Sequence, residues 1–203
     1  MRGLWKPLKK IPSLLEEHIK HSDIKYARWN VFMEDECRIG LFTRNGKALT
    51  ARGVKPLSPY YHKYESTYLF GAFSPVNGAS LILELPKCNT DNFELFLKQL
   101  SLLDEEEYKI IFLDNGAFHK AKRLIIPHNI CLVFLPPYSP ELNPAEKVWW
   151  TIKRELNNKA FKTMEQLQNE VDTIIKKLIN VETIKSLTGY EIYLKPIRSI
   201  LNF

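Results

Sequence analysis

The sequence contains no apolar run near the roughly 20 residues that a membrane-spanning helix needs, which argues against an integral membrane protein. The first residues (MRGLWKPLKKIPSLLEEH) carry basic side chains but no sustained apolar segment, so they do not read as a secretory signal. Internal repeats and low-complexity segments are also lacking. A chain of 203 residues with these properties is expected to form one soluble globular domain.

Cysteine is scarce as well. The three cysteines, Cys37, Cys88 and Cys131, are far apart and odd in number. This pattern argues against a disulfide framework and a cysteine-based zinc cluster, and it favours a reducing cytoplasm.

The charge balance is basic. Lysine and arginine number 29 against 23 aspartates and glutamates, which gives a formal net charge of +6. A basic protein suits a polyanionic partner such as nucleic acid, but this signal is weak unless a site for such chemistry is also present.

The first half of the chain is rich in predicted strands. Strands are predicted at Trp29 to Phe42, Ser66 to Ser74 and Ala79 to Leu85, and Thr43-Arg44-Asn45-Gly46 contains the Asn-Gly signal of a hairpin turn. These stretches predict an antiparallel meander.

The second half alternates helices with short strands. A helix capped by Asn89 or Thr90 is followed by apolar strands at 109–113 and 131–135. Two further helices follow, and Thr163 with Gln166 forms a capping box for the last one. The fold class predicted from this order is α/β, with a mixed central sheet and flanking helices.

Three carboxylates occupy well-anchored positions. Asp35 follows an apolar run in FMEDE, and Asp114 ends another in FLDN. Glu146 lies in LPPYSPELNPAEKVW, where Asn143 suits an N-cap and Pro144 suits the first helical position. Three such acids are what a two-metal phosphodiester enzyme requires.

Each acid also has a purely structural interpretation. Asp35 suits a polar strand end, Asp114 an Asx-turn before Gly116, and Glu146 the N3 position of a capping box. Glu34 and Glu36 should point away from Asp35 if the strand is regular. Glu141 is the substitute for Glu146, although it lies in the loop.

LDNGAFHK, followed by LPPYSPELNPAEKVW, resembles the catalytic domain of mariner-like bacterial insertion-sequence transposases, and FMEDECRIGLF resembles their first-strand motif. The resemblance covers roughly residues 29–160. It implies an RNase H-like fold with Asp35, Asp114 and Glu146 as catalytic metal ligands. It also implies two Mg²⁺ or Mn²⁺ ions, DNA cleavage followed by strand transfer, and a preference for TA targets.

The resemblance implies DNA partners, namely transposon ends and target DNA, and a homodimer around paired ends. Such transposases begin with helix-turn-helix modules, for which there is no room before Asp35. We therefore expect the catalytic half alone, served by a separate helix-turn-helix polypeptide or a fused form, in the bacterial cytoplasm at the nucleoid. The predicted division is a basic N-terminal extension (1–28), a catalytic domain (29–180) and a C-terminal tail (181–203). The alternatives are a non-catalytic DNA-binding remnant and a nuclease that only hydrolyses.

Several residues are accessory candidates. His119 stands close to the metals in similar transposases, but a surface histidine at the start of a short helix is an equal alternative. Asn115 is expected to fix the turn after Asp114. The basic residues that suit DNA contacts are Lys120, Lys122, Arg123, Lys147, Lys153 and Arg154; for the first three a solvated helix face is almost as good an interpretation.

Aromatic residues allow further expectations. Trp149 is predicted in the core and Trp150 is predicted to be partly exposed. The run Tyr60-Tyr61-His62-Lys63-Tyr64 would suit stacking on unpaired bases, but a loop that packs its tyrosines on the core is favoured.

Overall fold

The computed structural model describes residues 26, 28–137, 142–191, 194, 195 and 198. The strands are β1 (Arg28–Gly40), β2 (Ser66–Phe73), β3 (Ser80–Leu85), β4 (Glu107–Leu113) and β5 (Ile130–Phe134). The helices are α1 (Thr90–Leu102), α2 (Ala145–Glu155), α3 (Met164–Leu178) and α4 (Val181–Thr188), with a short 3-10 helix at Ala117–Lys120. Within the described ranges, no helix combines the length and the apolar character needed to span a membrane. The predicted N-terminal extension lies almost entirely outside the described residues.

The five strands form one mixed sheet in the order β3-β2-β1-β4-β5. β1, β2 and β3 pair antiparallel, which confirms the predicted meander, and β4 and β5 continue the sheet in parallel with β1. The ladder between β1 and β4 ends at the pair Met33 and Phe112. Because parallel strands end at the same edge of a sheet, the residues just beyond this pair on both strands lie side by side.

Helices cover both faces of the sheet. On one face α1 packs through four fully buried side chains, Phe93, Phe96, Leu97 and Leu100. The Asn89 side chain caps this helix by accepting from the backbone N–H of Asn92. α2, α3 and α4 share a single core cluster on the opposite face, where Trp149 is buried as predicted. The arrangement confirms the predicted α/β class with a mixed sheet flanked by helices.

The predicted hairpin turn at Thr43-Arg44-Asn45-Gly46 is wrong. Residues 43–65 contain no strand and form a long connection between β1 and β2. The N–H of Asn158 donates to the Arg44 carbonyl at 2.8 Å, and the N–H of Gly46 donates to Asn158 Oδ1 at 2.9 Å. Asn158, which lies beyond the end of α2, thus makes hydrogen bonds with backbone groups of residues 44 and 46 that would otherwise bond to each other's strands in a hairpin.

Gly71 permits the contact between β2 and α2. A Cβ atom at this position would lie 2.5 Å from two ring carbons of Trp149. We expect Gly71→Ala to destabilise the fold by roughly 1–3 kcal/mol because a well-packed core cannot take the extra methyl group without shifting. Urea unfolding would measure the change. Phenylalanine lacks the two ring carbons that would clash, so Trp149→Phe should lower the free energy of unfolding less in the Gly71→Ala background than in the wild type. If the two losses of stability simply added, this interpretation would be contradicted.

Candidate active site

Asp35 lies on the face of β1 that α2 covers. Its odd-numbered neighbours Met33 and Cys37 belong to the core cluster under α2, and its partner on β2 is Gly71. The alternation of a strand sends Glu34 and Glu36 to the opposite face. The structure thus separates the three consecutive acids as the sequence predicted, with Asp35 alone facing α2.

Asp114 is the first residue beyond β4. Its Oδ1 accepts the N–H of Gly116 at 2.7 Å, which is the predicted Asx-turn, and its side chain remains 64% exposed. The Asn115 amide donates to the Leu135 carbonyl, so Asn115 fixes this turn against the segment after β5, as expected. Asp114 therefore has a fixed position at the carboxyl edge of the sheet while its carboxylate stays open to solvent.

Glu146 is held near Asp35 by Asn143. The Asn143 amide donates to the Glu34 carbonyl at 2.7 Å, and its Oδ1 accepts the N–H of Ala145 at 3.1 Å. Asn143 thereby ties the start of α2 to β1. Within the described part of the chain, no hydrogen bond links the Glu146 carboxylate to Asn143, so the capping-box interpretation of Glu146 is wrong for the side chain.

The charges of the other two acids act on Asp35. Burial, followed by the negative charges of Glu146, Glu36 and Asp114, raises the pKa of Asp35 from 3.8 to about 8. A backbone hydrogen bond only partly offsets these effects. β1, the end of β4 and the start of α2 thus bring negative charges near the Asp35 carboxylate, although the ligand oxygens of Asp35, Asp114 and Glu146, all described residues, do not all lie within 4.8 Å of one another.

This donor set suits a divalent cation. Asp35, Asp114 and Glu146 supply only hard carboxylate oxygens, which select Mg²⁺ or Mn²⁺ over zinc. The Oδ2 atom of Asp114 makes no hydrogen bond to any described residue, so it is available as a ligand. A bound cation would offset both the loss of hydration that burial imposes on the Asp35 carboxylate and its repulsion by the neighbouring acids.

His119 is buried, so the surface alternative for this residue is wrong. Its Nε2 lies 2.9 Å from Glu36 Oε1, and its Nδ1 lies 3.0 Å from Asp114 Oδ1, although the second contact lacks hydrogen-bond angles. The ring also packs against Phe93 at 4.4 Å between centroids. His119 therefore lies between Phe93 of α1 and the carboxylate of Asp114.

Glu34 and Glu36 form a second acidic group that the sequence interpretation missed. Ligand atoms of Glu34, Glu36 and His119 all lie within 4.8 Å of one another, a grouping that could hold a metal ion. Both oxygens of Glu34 are buried without a hydrogen-bond partner. Burial and the neighbouring Glu36 charge hold the pKa of Glu34 well above its usual range. The spacing of two glutamates in FMEDE was the available signal, but only the fold brings His119 to them.

The predicted DNA-contacting residues have different surroundings. Lys120 donates to Asn115 and lies 4.7 Å from the Phe134 ring centre, and Arg123 pairs with Asp91. On α2, Lys147 stacks on Tyr190 at 4.2 Å, and Arg154 stacks on Trp150 at 4.9 Å.

Lys153 instead lies close enough to the buried Cys37 thiol to lower its pKa, and Lys122 is exposed. The contacts of these six residues with DNA stay predictions. The substitute acid Glu141 lies outside the described residues, as does most of the proline-rich loop that precedes it.

Comparison with solved structures identifies the same fold. A pre-cleavage Mos1 transpososome aligns with 98% of this chain at a TM-score of 0.65 and 16% identity. The Mos1 strand transfer complex aligns with 98% of the chain at a TM-score of 0.62 and 15% identity. The chain spans about 61–63% of the length of these Mos1 chains. The predicted RNase H-like fold is confirmed.

Sequence comparison identifies the family. An uncharacterized protein, y4pE/y4sA, of Sinorhizobium fredii (strain NBRC 101917 / NGR234) is 35% identical over 115 residues, which cover 56% of this chain and 85% of that protein. Residues 30–168 match the DDE superfamily endonuclease family, and this range contains Asp35, Asp114 and Glu146. The match confirms the resemblance drawn from the sequence motifs: the chain belongs to the DDE superfamily endonuclease family.

Proposed function

We propose that this chain is the catalytic domain of a DNA transposase, which cleaves transposon ends and joins them to target DNA with divalent metal ions. The observation that carries the proposal is that the end of β4 and the start of α2 place Asp114 and Glu146 close enough to Asp35 on β1 for their charges to act on it. Family membership supports it, as does the fold shared with Mos1 complexes that represent states before cleavage and after strand transfer.

Asp35, Asp114 and Glu146 would hold the metal, and we propose two ions of Mg²⁺ or Mn²⁺. Bound there, the ions would activate the attacking oxygen and stabilise the leaving oxygen. Paired-end complexes of Mos1 with Mn and with Mg support this choice of cation. Asp35 would bind from β1 and Glu146 from α2, while Asp114 would use the oxygen that His119 and Gly116 leave free. His119 acts as a positioning residue for Asp114.

The partners follow from the same proposal. The ligands are transposon ends and target DNA, and the active assembly is a homodimer around paired ends. End recognition comes from a helix-turn-helix module, on a separate polypeptide or fused to this domain. The proposed catalytic domain spans residues 29–180, between an N-terminal extension (1–28) and a C-terminal tail (181–203), and we propose that it acts at the nucleoid in the bacterial cytoplasm.

Strand transfer of a pre-cleaved, labelled DNA end into a supercoiled plasmid tests the proposal. With Mn²⁺ or Mg²⁺ we expect joined products from the wild type and none from Asp114→Asn, because the substitution removes a negatively charged ligand without changing shape. Binding of the labelled end should be similar for both proteins.

Other outcomes would point elsewhere. Metal-dependent nicks without joining would favour a hydrolytic nuclease. DNA binding without any cutting, unaffected by Asp114→Asn, would overturn the enzyme proposal in favour of a DNA-binding remnant.

A further inference from the structure

A cavity of about 430 Å³ opens on the sheet face that carries Asp35. This cavity, the basic groove, is lined by five cationic side chains and one carboxylate, Glu65. The cations are Arg38, Arg44, Lys63, Lys153 and Lys159. Its volume falls in the range of pockets that hold small organic ligands, and its lining is complementary to an anion.

Most of this positive charge is not neutralised. Lys63 pairs with Glu65 at 2.5 Å and Lys159 pairs with Glu170 at 2.6 Å. The remaining three cations, Arg38, Arg44 and Lys153, have no carboxylate within 4 Å in the described part of the chain.

Their own contacts leave these charges available. Among the described residues, Arg38 donates a side-chain hydrogen bond only to the neutral hydroxyl of Ser66, at 2.9 Å. Lys153 and Arg44 lie close enough to the Cys37 thiol to lower its pKa, although burial dominates and raises the pKa of Cys37 to about 11. Two such charges at the groove, those of Arg44 and Lys153, favour binding of a phosphate-bearing ligand.

Exposed aromatic rings stand at the rim of the basic groove. Phe42 and Tyr64 line it, and together with Tyr60 and His62 they form an aromatic cluster. Ring centroids are 5.1 Å apart for Phe42 and His62 and 4.8 Å apart for His62 and Tyr64.

This cluster is not a core feature. Tyr60 is 57% exposed and Tyr64 is 75% exposed, whereas Tyr61 packs against the core. The expectation that this loop buries its tyrosines therefore holds for Tyr61 alone. Adjacent exposed rings beside phosphate-binding cations are the two components of a site for unpaired nucleotides.

The same two elements carry the acids and the basic groove. Arg38 lies three residues after Asp35 on β1, about 10 Å along the strand, and this odd spacing places its side chain on the opposite face of β1. Lys153 lies seven residues after Glu146 on α2, about 10 Å and two turns further along the same side. The groove therefore lies about 10 Å from the acids along both elements.

We propose that the basic groove and the aromatic cluster bind an unpaired stretch of DNA strand about 10 Å from the bond that is cut. Arg44 and Lys153 contact its phosphates, and Tyr64 with its neighbouring rings stacks on its bases. The identity of the polymer rests on the function proposed above, but the binding does not require catalysis.

Fluorescence anisotropy of the full chain with a labelled single-stranded oligodeoxynucleotide of about 12 nucleotides, in EDTA so that no turnover occurs, tests this inference. An oligonucleotide of the same length with abasic sites supplies phosphates without bases. The test variants are Tyr64→Ala and Lys153→Gln. Leu49→Ala, at another exposed position of the same connection, and Lys176→Gln, on the exposed side of α3, are the matched controls.

We expect Tyr64→Ala to weaken binding of the normal oligonucleotide by about five- to tenfold and to leave binding of the abasic one unchanged, because only a base can stack. Lys153→Gln should weaken both ligands and reduce the slope of log affinity against log salt by about 0.7, the value for one lost phosphate contact on a single strand. Both controls should bind like the wild type.

Wild-type affinity in both test variants would overturn the inference. Equal losses by Tyr64→Ala for normal and abasic ligands would overturn the stacking role, since the loop itself would then be disturbed. If the wild type joins no DNA in the strand-transfer assay but Tyr64→Ala and Lys153→Gln still change oligonucleotide binding as expected, the transposase proposal is rejected and the groove proposal stands. Active cleavage without the pattern would reject the groove alone.

Discussion

Asp35→Asn should reduce the rate of metal-dependent DNA cleavage by about 10³-fold or more. Glu34→Gln, at the neighbouring residue, should reduce this rate far less. Asp35 faces α2 and is electrostatically coupled to Glu146 and Asp114, while Glu34 points to the opposite face of β1. Loss of a metal ligand removes several kcal/mol of transition-state stabilisation, which corresponds to at least three powers of ten in rate. Initial rates of nicking on a supercoiled plasmid with Mn²⁺ would measure both variants.

The helix α2 offers a matched pair for the third acid. Glu146→Gln should be as damaging as Asp35→Asn, and Glu155→Gln, the same substitution nine residues later, should cleave like the wild type. Among the described residues, the ion-pair partner of Glu155 is Arg154, at a long 3.8 Å, and Glu155 lies about 13 Å beyond Glu146 along the helix. If Glu34→Gln were inactive while Asp35→Asn cleaved normally, our assignment of the strand faces to the site would be wrong.

The positions of these acids could be predicted because local signals fix them. Asp114 ends an apolar strand and enters an Asx-turn with Gly116, and Glu146 follows a helix start marked by Asn143 and Pro144. In each case the relevant contacts lie within a few residues. Strand alternation also sufficed to separate Asp35 from its acidic neighbours.

Contacts between distant segments could not be predicted in this way. His119 becomes buried because Glu36 and Phe93, which are remote in sequence, close around it. The Asn45-Gly46 signal fails because Asn158 supplies hydrogen bonds that a local turn would otherwise make. The exposed rings of Tyr60 and Tyr64 likewise depend on the path of the long connection after β1, for which no periodic pattern exists.

In the absence of metal, the ionised Asp35 carboxylate should lower the stability of the folded protein. Asp35 has a pKa of about 8 in the folded chain and an ordinary value of 3.8. The folded state therefore keeps a proton that the unfolded state releases between these values. Stability from this group is fully present below pH 3.8 and is lost as pH rises toward 8, by up to about 1.4 kcal/mol per pH unit.

Asp35→Asn mimics the protonated form at every pH and should therefore be the more stable protein in EDTA. At pH 7 we expect a gain of about 2–4 kcal/mol, or roughly 5–10 °C in Tm, because relaxation around Glu146 reduces the full linkage value. The gain should shrink as pH falls and disappear near pH 4. Thermal unfolding followed by circular dichroism from pH 4 to 8 would measure it, with Glu155→Gln as the control that should not change.

Divalent metal should reverse this order. A cation that binds the folded site raises the stability of the wild type in proportion to the logarithm of its concentration, and Asp35→Asn, which lacks a ligand, should respond weakly. The carboxylate that destabilises the metal-free fold would then be the group that couples folding to metal binding. Equal stability of the two proteins at pH 7 in EDTA, or an equal response to Mn²⁺, would contradict the assignment of Asp35 as a buried metal ligand.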